Sequence, residues 1–306
     1  MGVAPALAWT IALSGGGAAL AHAVERGLRR TMPDVDPGPA APVQIGVERA
    51  PAQTDPWFYS AAPAIALFGV ALALVVIPFG GQLVGADLEV GAFYYLVVLD
   101  FVSLAIALGG WGANTPDAVE ACYRAVAQLV AYVVPLGLAV IGPLMMARTL
   151  STVAIVEAQH RAGLWYVVAQ PVGFALYIAT GAMQGYRAPF TEPFASQIHG
   201  GVLAAYGGAQ ALVWRVALSA LLFTIAAMGA VLFLGGYAGP IGGPIGMGLK
   251  TLGVLVLIVL AGRFFRARST AETLALSWKV LVPVGLLNVG LVGSLILLGV
   301  GQSAFR

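Results

Sequence analysis

The chain has 306 residues, 60% of them hydrophobic and only 9% charged, and its 15 lysines and arginines nearly balance 13 aspartates and glutamates. Soluble domains carry about 25% charged residues, so this composition, with a mean hydropathy of +0.92, excludes a soluble globular enzyme. A net charge of +2 leaves no basic excess for binding nucleic acid.

Crossing a hydrocarbon layer of about 30 Å takes about 20 apolar residues, and eight runs approach that length. They fall at about 3–22, 57–79, 91–111, 119–146, 165–184, 209–235, 246–264 and 279–301. The first run lacks a basic leader and a small-residue cleavage site, so it reads as a retained span. Backbone groups in lipid must be bonded internally, which makes the spans helices. The expected fold is an all-α integral membrane protein, one polytopic domain over residues 1–306 with eight transmembrane helices.

Between the runs, residues 23–56 hold Pro33, Pro37, Pro39, Pro42, Pro51 and Pro56, the mark of an irregular loop. Residues 235–246 form a Gly/Pro link, and 185–208 a longer one. The loops after the first and seventh runs carry Arg26, Arg29, Arg30 and Arg49, and Arg263, Arg266, Arg268 and Lys279. Loops after the second and sixth carry no basic residue. The positive-inside bias then places odd-numbered loops in the cytoplasm and both termini on the outer, periplasmic side. The stretch Tyr186-Arg187-Ala188-Pro189-Phe190-Thr191-Glu192 is cytoplasmic in this topology.

Chemistry-bearing motifs are few. Cys122 stands alone, and His22, His160 and His199 have no ligand spacing, so no metal site and no catalytic residue are expected. Inside the spans, Asp100 lies midway along the third run without a base in its own helix. It reads either as a proton-relay acid or as a carboxyl hydrogen-bonded across the bundle. Arg124 and Gln128 stand one turn apart and share a helix face, with Arg124 near enough the cytoplasmic end to snorkel. Arg215 and Lys250 read as interfacial anchors.

The order of short motifs resembles membrane subunit 1, also called the H subunit, of the proton-translocating NADH:quinone oxidoreductase, respiratory complex I. The resemblance is carried by Val76-Ile77-Pro78-Phe79-Gly80, Gly110-Trp111-Gly112-Ala113-Asn114, and Tyr123-Arg124-Ala125-Val126-Ala127-Gln128 with Tyr132 and Pro135. It continues through Ile155-Val156-Glu157-Ala158-Gln159, Arg187-Ala188-Pro189-Phe190, and Trp278-Lys279-Val280-Leu281-Val282-Pro283 with Asn288. Residues 1–54 match poorly, with only Glu25-Arg26 and Gly38-Pro39 in the family's manner.

The resemblance implies a cell inner-membrane subunit that is not catalytic alone. In that role it joins a hydrophilic redox arm to a membrane arm and helps wall the quinone chamber. It implies no cofactor bound by this chain, quinone as substrate of the complex, and the other subunits and the lipid membrane as partners. Arg26, Arg187, Pro189, Phe190 and Glu192 become candidates for the quinone chamber or arm docking, with loop 185–208 facing the arm. Asp100, Arg124, Gln128, Tyr132 and Gln184 become candidates for proton coupling. The family's acids are largely missing: Gln184 stands where glutamate is usual, Thr191 where aspartate is, Val133 after Tyr132, and about Leu218 in the sixth run. Asp100 is the one buried acid that could stand in, so weakened or rerouted coupling is expected. Two alternatives stay open: the anchor of an energy-converting hydrogenase or formate hydrogenlyase, and a structural paralogue without a coupling role.

Overall fold

A computed structural model describes residues 3–30, 53–191, 201–239 and 242–297. All regular structure among them is helical: α1 (Val3–Arg30), α2 (Pro56–Val75), α3 (Gly91–Leu99), α4 (Phe101–Ala113), α5 (Pro116–Ala147), α6 (Thr152–Ala162), α7 (Tyr166–Ala169), α8 (Pro171–Gln184), α9 (Gly208–Leu234), α10 (Gly243–Phe264), α11 (Thr270–Leu276) and α12 (Val282–Leu297). Six stretches among the described residues are long and apolar enough to cross a membrane: α2, the α3–α4 pair, α5, α9, α10 through Gly262, and α11 through α12.

Local chemistry explains most helix ends. Asp55 caps α2 by accepting from the Trp57 and Phe58 amides, with Pro56 in the first turn. Thr115 caps α5 ahead of Pro116, Ser151 caps α6, and Ser269 with Glu272 forms a capping box on α11. Each supplies an acceptor to donors that have none inside the helix. Pro78, without an amide hydrogen, follows the end of α2 at Val75.

Several boundaries differ from those read off hydropathy. Helix α1 runs eight residues past the expected end at 22, because Glu25 is buried rather than solvated; the rest of the proposed 23–56 loop is described only from residue 53. The third run is interrupted at Asp100 and the fifth at Gln170, where α7 gives way to α8 at Pro171. An amphipathic helix, α6, occupies what reads as an outer loop. The last helix begins at Thr270, not near 279: α11 continues through one π turn, Ser277–Leu281, into α12. There Ser277 turns inward and donates to the Ala131 carbonyl of α5, so Lys279 belongs to the helix rather than to a loop.

Helix α9 forms the axis, with α1, α2 and α10 packed around it, while α5 bridges α4, α8 and α12. Close approach of α2 and α4 depends on Gly112, since a Cβ there would stand 2.6 Å from the Tyr59 amide nitrogen. The Asp55 amide donates to the Gly112 carbonyl at 2.9 Å, joining the start of α2 to the end of α4. These contacts hold α4 against α2, and α4 also packs on α5.

Candidate functional site

Asp100 sits in the one-residue break between α3 and α4, with αR backbone angles and no capping role for its side chain. Its Oδ1 accepts a hydrogen bond from the Tyr132 hydroxyl of α5 at 3.0 Å. With that hydrogen committed, the Tyr132 oxygen accepts from Ser103 Oγ at 2.7 Å, and Ser103 in turn accepts from the Tyr186 hydroxyl at 3.0 Å. Three hydroxyls therefore form a directional series, Tyr186 to Ser103 to Tyr132, ending on a carboxylate. Tyr132 and Tyr186 have no measurable exposure and Ser103 is 3% exposed, so the series is shielded from bulk water. Such a series can pass a proton by reorienting each hydroxyl in turn, and in a low-dielectric surrounding its members polarise one another.

Gln128, one turn before Tyr132 on α5, positions the Tyr186 end of the series. Its Nε2 donates to the Met183 carbonyl at 2.6 Å and to the Phe190 carbonyl at 3.1 Å. The first of these carbonyls, at the end of α8, also accepts from the Tyr186 amide. Gln128 thus clamps the end of α8 and the following turn to α5, which carries Tyr186 over Ser103. Gln184, in the last turn of α8, is buried, and its side-chain amide lies beside the Asp100 carboxyl.

The second polar cluster centres on Arg187. Its Nε binds the Glu25 carboxylate of α1, Nη1 donates to the Gly185 carbonyl at 2.6 Å, and Nη2 to the Leu218 carbonyl of α9 at 3.3 Å. Both charged side chains are about 5% exposed. Backbone bonds from Arg187 to Ala182, from Phe190 to Arg187 and from Arg268 to Pro189 complete the turn.

Most of the residues expected at the quinone chamber or the arm lie below the surface of this chain. Arg187, Pro189 and Phe190 are buried, and Glu25 supplies the countercharge of Arg187 within the chain. Of that group Arg26 alone is exposed among the described residues, and Glu192 lies outside them. Of the coupling candidates, Asp100 and Tyr132 are in direct contact, with Gln128 and Gln184 beside them. Arg124 stands apart at the α5 surface, paired with Glu120 one turn away. Sequence reading missed Ser103 and Tyr186. Ser103 was signalled by its spacing of three from Asp100, which puts both on one helix face. Tyr186 carried no comparable signal, since its link to Ser103 depends on the tertiary turn.

A helical membrane protein with one acid at a helix break, served by hydroxyls from a neighbouring helix and a buried turn, is the class these observations define. Comparison with known proteins gives the family. The chain belongs to the NADH dehydrogenase family, whose model matches residues 48–293. It is 35% identical over 248 residues to the first NADH-quinone oxidoreductase H subunit of Rhodopseudomonas palustris (strain HaA2), covering 80% of this chain and 77% of that protein. To the second H subunit of the same enzyme in Cereibacter sphaeroides (strain ATCC 17023) it is 34% identical over 240 residues, covering 78% and 75%. To the H subunit of Geobacillus kaustophilus (strain HTA426) it is 32% identical over 270 residues, covering 86% and 79%.

Proposed function

We propose that this chain is the membrane subunit of a complex-I-like NADH:quinone oxidoreductase, in which it joins the hydrophilic arm to the membrane arm and contributes to the quinone chamber. The names of its relatives favour this reading over a hydrogenase anchor. Adding α1 and the broken α7–α8 pair to the six long apolar stretches makes eight crossings, with the arginine-bearing links inside and both termini outside. The membrane is the cell inner membrane. Electron carriers belong to partner subunits, and this chain binds none.

The observation that carries the coupling role is the hydroxyl series ending on Asp100. An acid in a membrane span, here half-buried, is costly and marks a functional position. Here the series leads toward the Tyr186 turn, on the side where quinone is reduced in this reading. Asp100 receives the proton and passes it inward, taking the place of the acids that Gln184, Thr191 and Val133 have replaced. The test is the purified complex reconstituted in vesicles, comparing wild type with Asp100→Asn. Quinone reduction by NADH persists in the variant, and the accompanying proton gradient falls severalfold. Full proton translocation by Asp100→Asn would remove Asp100 from the path.

A further inference from the structure

Tyr132, the middle hydroxyl of the series, stands on α5 just ahead of a proline inside that helix, Pro135. In an unbroken helix the Ala131 carbonyl accepts from the amide of residue 135, and Pro135 has no amide hydrogen to give. That carbonyl and the Tyr132 nitrogen belong to one planar peptide unit. The bond removed by Pro135 is therefore one that would fix the unit from which Tyr132 extends.

Another helix supplies the donor. Ser277 and Ala131 have no measurable exposure, and Ser277 Oγ donates to the Ala131 carbonyl from the junction of α11 with α12. The π turn at that junction makes the contact fit. Further along, α12 packs on α5 at Gly285, where a Cβ would stand 2.9 Å from the Leu138 Cβ. Ser277 and Gly285 are eight residues apart, while their counterparts Ala131 and Leu138 are seven apart. In a continuous α-helix, turning about 100° per residue, positions eight apart point about 80° away from each other. In the π turn the Ser277 carbonyl accepts from the Val282 amide, five residues on. One residue is thereby taken up, and Ser277 and Gly285 both meet α5. Such single π turns inside helices are frequent at functional positions.

We infer that Ser277 is a positioning residue for Tyr132: it takes over the helical bond that Pro135 removes, tying the peptide unit of Tyr132 to the α11–α12 junction so that the phenol spans Ser103 and Asp100. The assignment rests on the coupling role proposed for Asp100, while the placement of Tyr132 is measurable without it.

The complex in vesicles is compared as wild type, as Ser277→Ala, and as Ser277→Ala with Pro135→Ala, which gives the Ala131 carbonyl an amide from its own helix. Ser277→Ala is expected to lower the melting temperature and to cut severalfold the protons moved per NADH oxidised. Ser277→Thr, which keeps the hydroxyl, translocates as the wild type does. The double variant regains the melting temperature but not the translocation, because a bond within α5 does not tie Tyr132 to the junction. Translocation that returns together with the melting temperature would make Ser277 a structural residue only and overturns the inference. So does wild-type translocation in Ser277→Ala. Fluorotyrosine inserted at position 132 gives a readout independent of coupling: its fluorine resonance should move in Ser277→Ala and stay in Ser294→Ala, an exposed serine of α12. A resonance unmoved in Ser277→Ala also overturns the inference. If the resonance moves while Asp100→Asn translocates fully, Ser277 still places Tyr132, and it is the coupling role that fails.

Discussion

Two buried polar clusters lie at the same turn of the chain and solve the cost of burial in opposite ways. Around Arg187 the charges offset each other inside the chain, and carbonyls of Gly185 and Leu218 take further guanidinium donors. Asp100 has no salt bridge among the described residues; the Tyr132 hydroxyl donates to it, and the neutral Gln184 amide lies beside it. A pair of opposite charges in low dielectric is stable only when both members stay charged. A lone acid supported by hydroxyls can exist with or without its proton, because the same hydroxyls can reverse their donors. The first arrangement suits a fixed joint between α1, α8 and α9. The second suits a group that changes state in the proposed function.

The strongest way to break this contrast is to remove one charge of the pair. Arg187→Ala leaves the Glu25 carboxylate buried without its cation, at a cost of about 3–5 kcal/mol. The expected outcome is a chain that fails to accumulate in the membrane or a complex with a sharply lowered melting temperature. Arg187→Met combined with Glu25→Leu should recover most of that loss, since both charges are then gone. An unaltered melting temperature in Arg187→Ala would show that the pair is not the joint described here.

A smaller effect is expected from Gln128→Leu. The buried Phe190 carbonyl loses its donor, at about 1–3 kcal/mol for a group left unsatisfied, while the Met183 carbonyl keeps the Tyr186 amide. The chain should still assemble, with a lower melting temperature and faster amide exchange over 182–191 than elsewhere on α8. Uniform exchange along α8 in the variant would mean that Gln128 does not clamp the turn.

How much of this was legible beforehand depends on what kind of signal each feature leaves. Apolar runs located the helices because lipid-crossing length is a local property of composition. They did not locate the breaks at Asp100 and Gln170, because both lie within uninterrupted apolar sequence and their broken backbone is sustained by neighbouring helices. Nor could hydropathy rank the helices by depth. The spans containing α9 and α11–α12 are almost equally apolar, yet 94% of one and 17% of the other lies buried within the chain. Lipid and protein interior are alike to an apolar side chain, so the sequence pattern does not separate them. Asp100, Gln128, Tyr132 and Gln184 were legible as polar residues in costly places. The ion partner of Arg187 was not legible, because Glu25 lies 162 positions away along the chain and meets it through tertiary contact alone.

The smallest stability effect is expected where the functional effect should be large. Tyr132→Phe removes one hydroxyl that bonds both Ser103 and Asp100, at about 1 kcal/mol, so the melting temperature should shift by only a few degrees. Because Tyr132 is the middle link, its loss separates Asp100 from Ser103 and Tyr186 while leaving the acid, the turn and the ion pair in place. Proton translocation per electron pair in vesicles should therefore fall about as far as in Asp100→Asn, with NADH-dependent quinone reduction retained. Ser103→Ala should behave in the same direction but less strongly if a water can occupy the vacated space beside Tyr186 and restore the connection. If Tyr132→Phe pumps as wild type does while Asp100→Asn does not, the acid acts without the hydroxyl series, and the contrast between the two clusters rests on Asp100 alone.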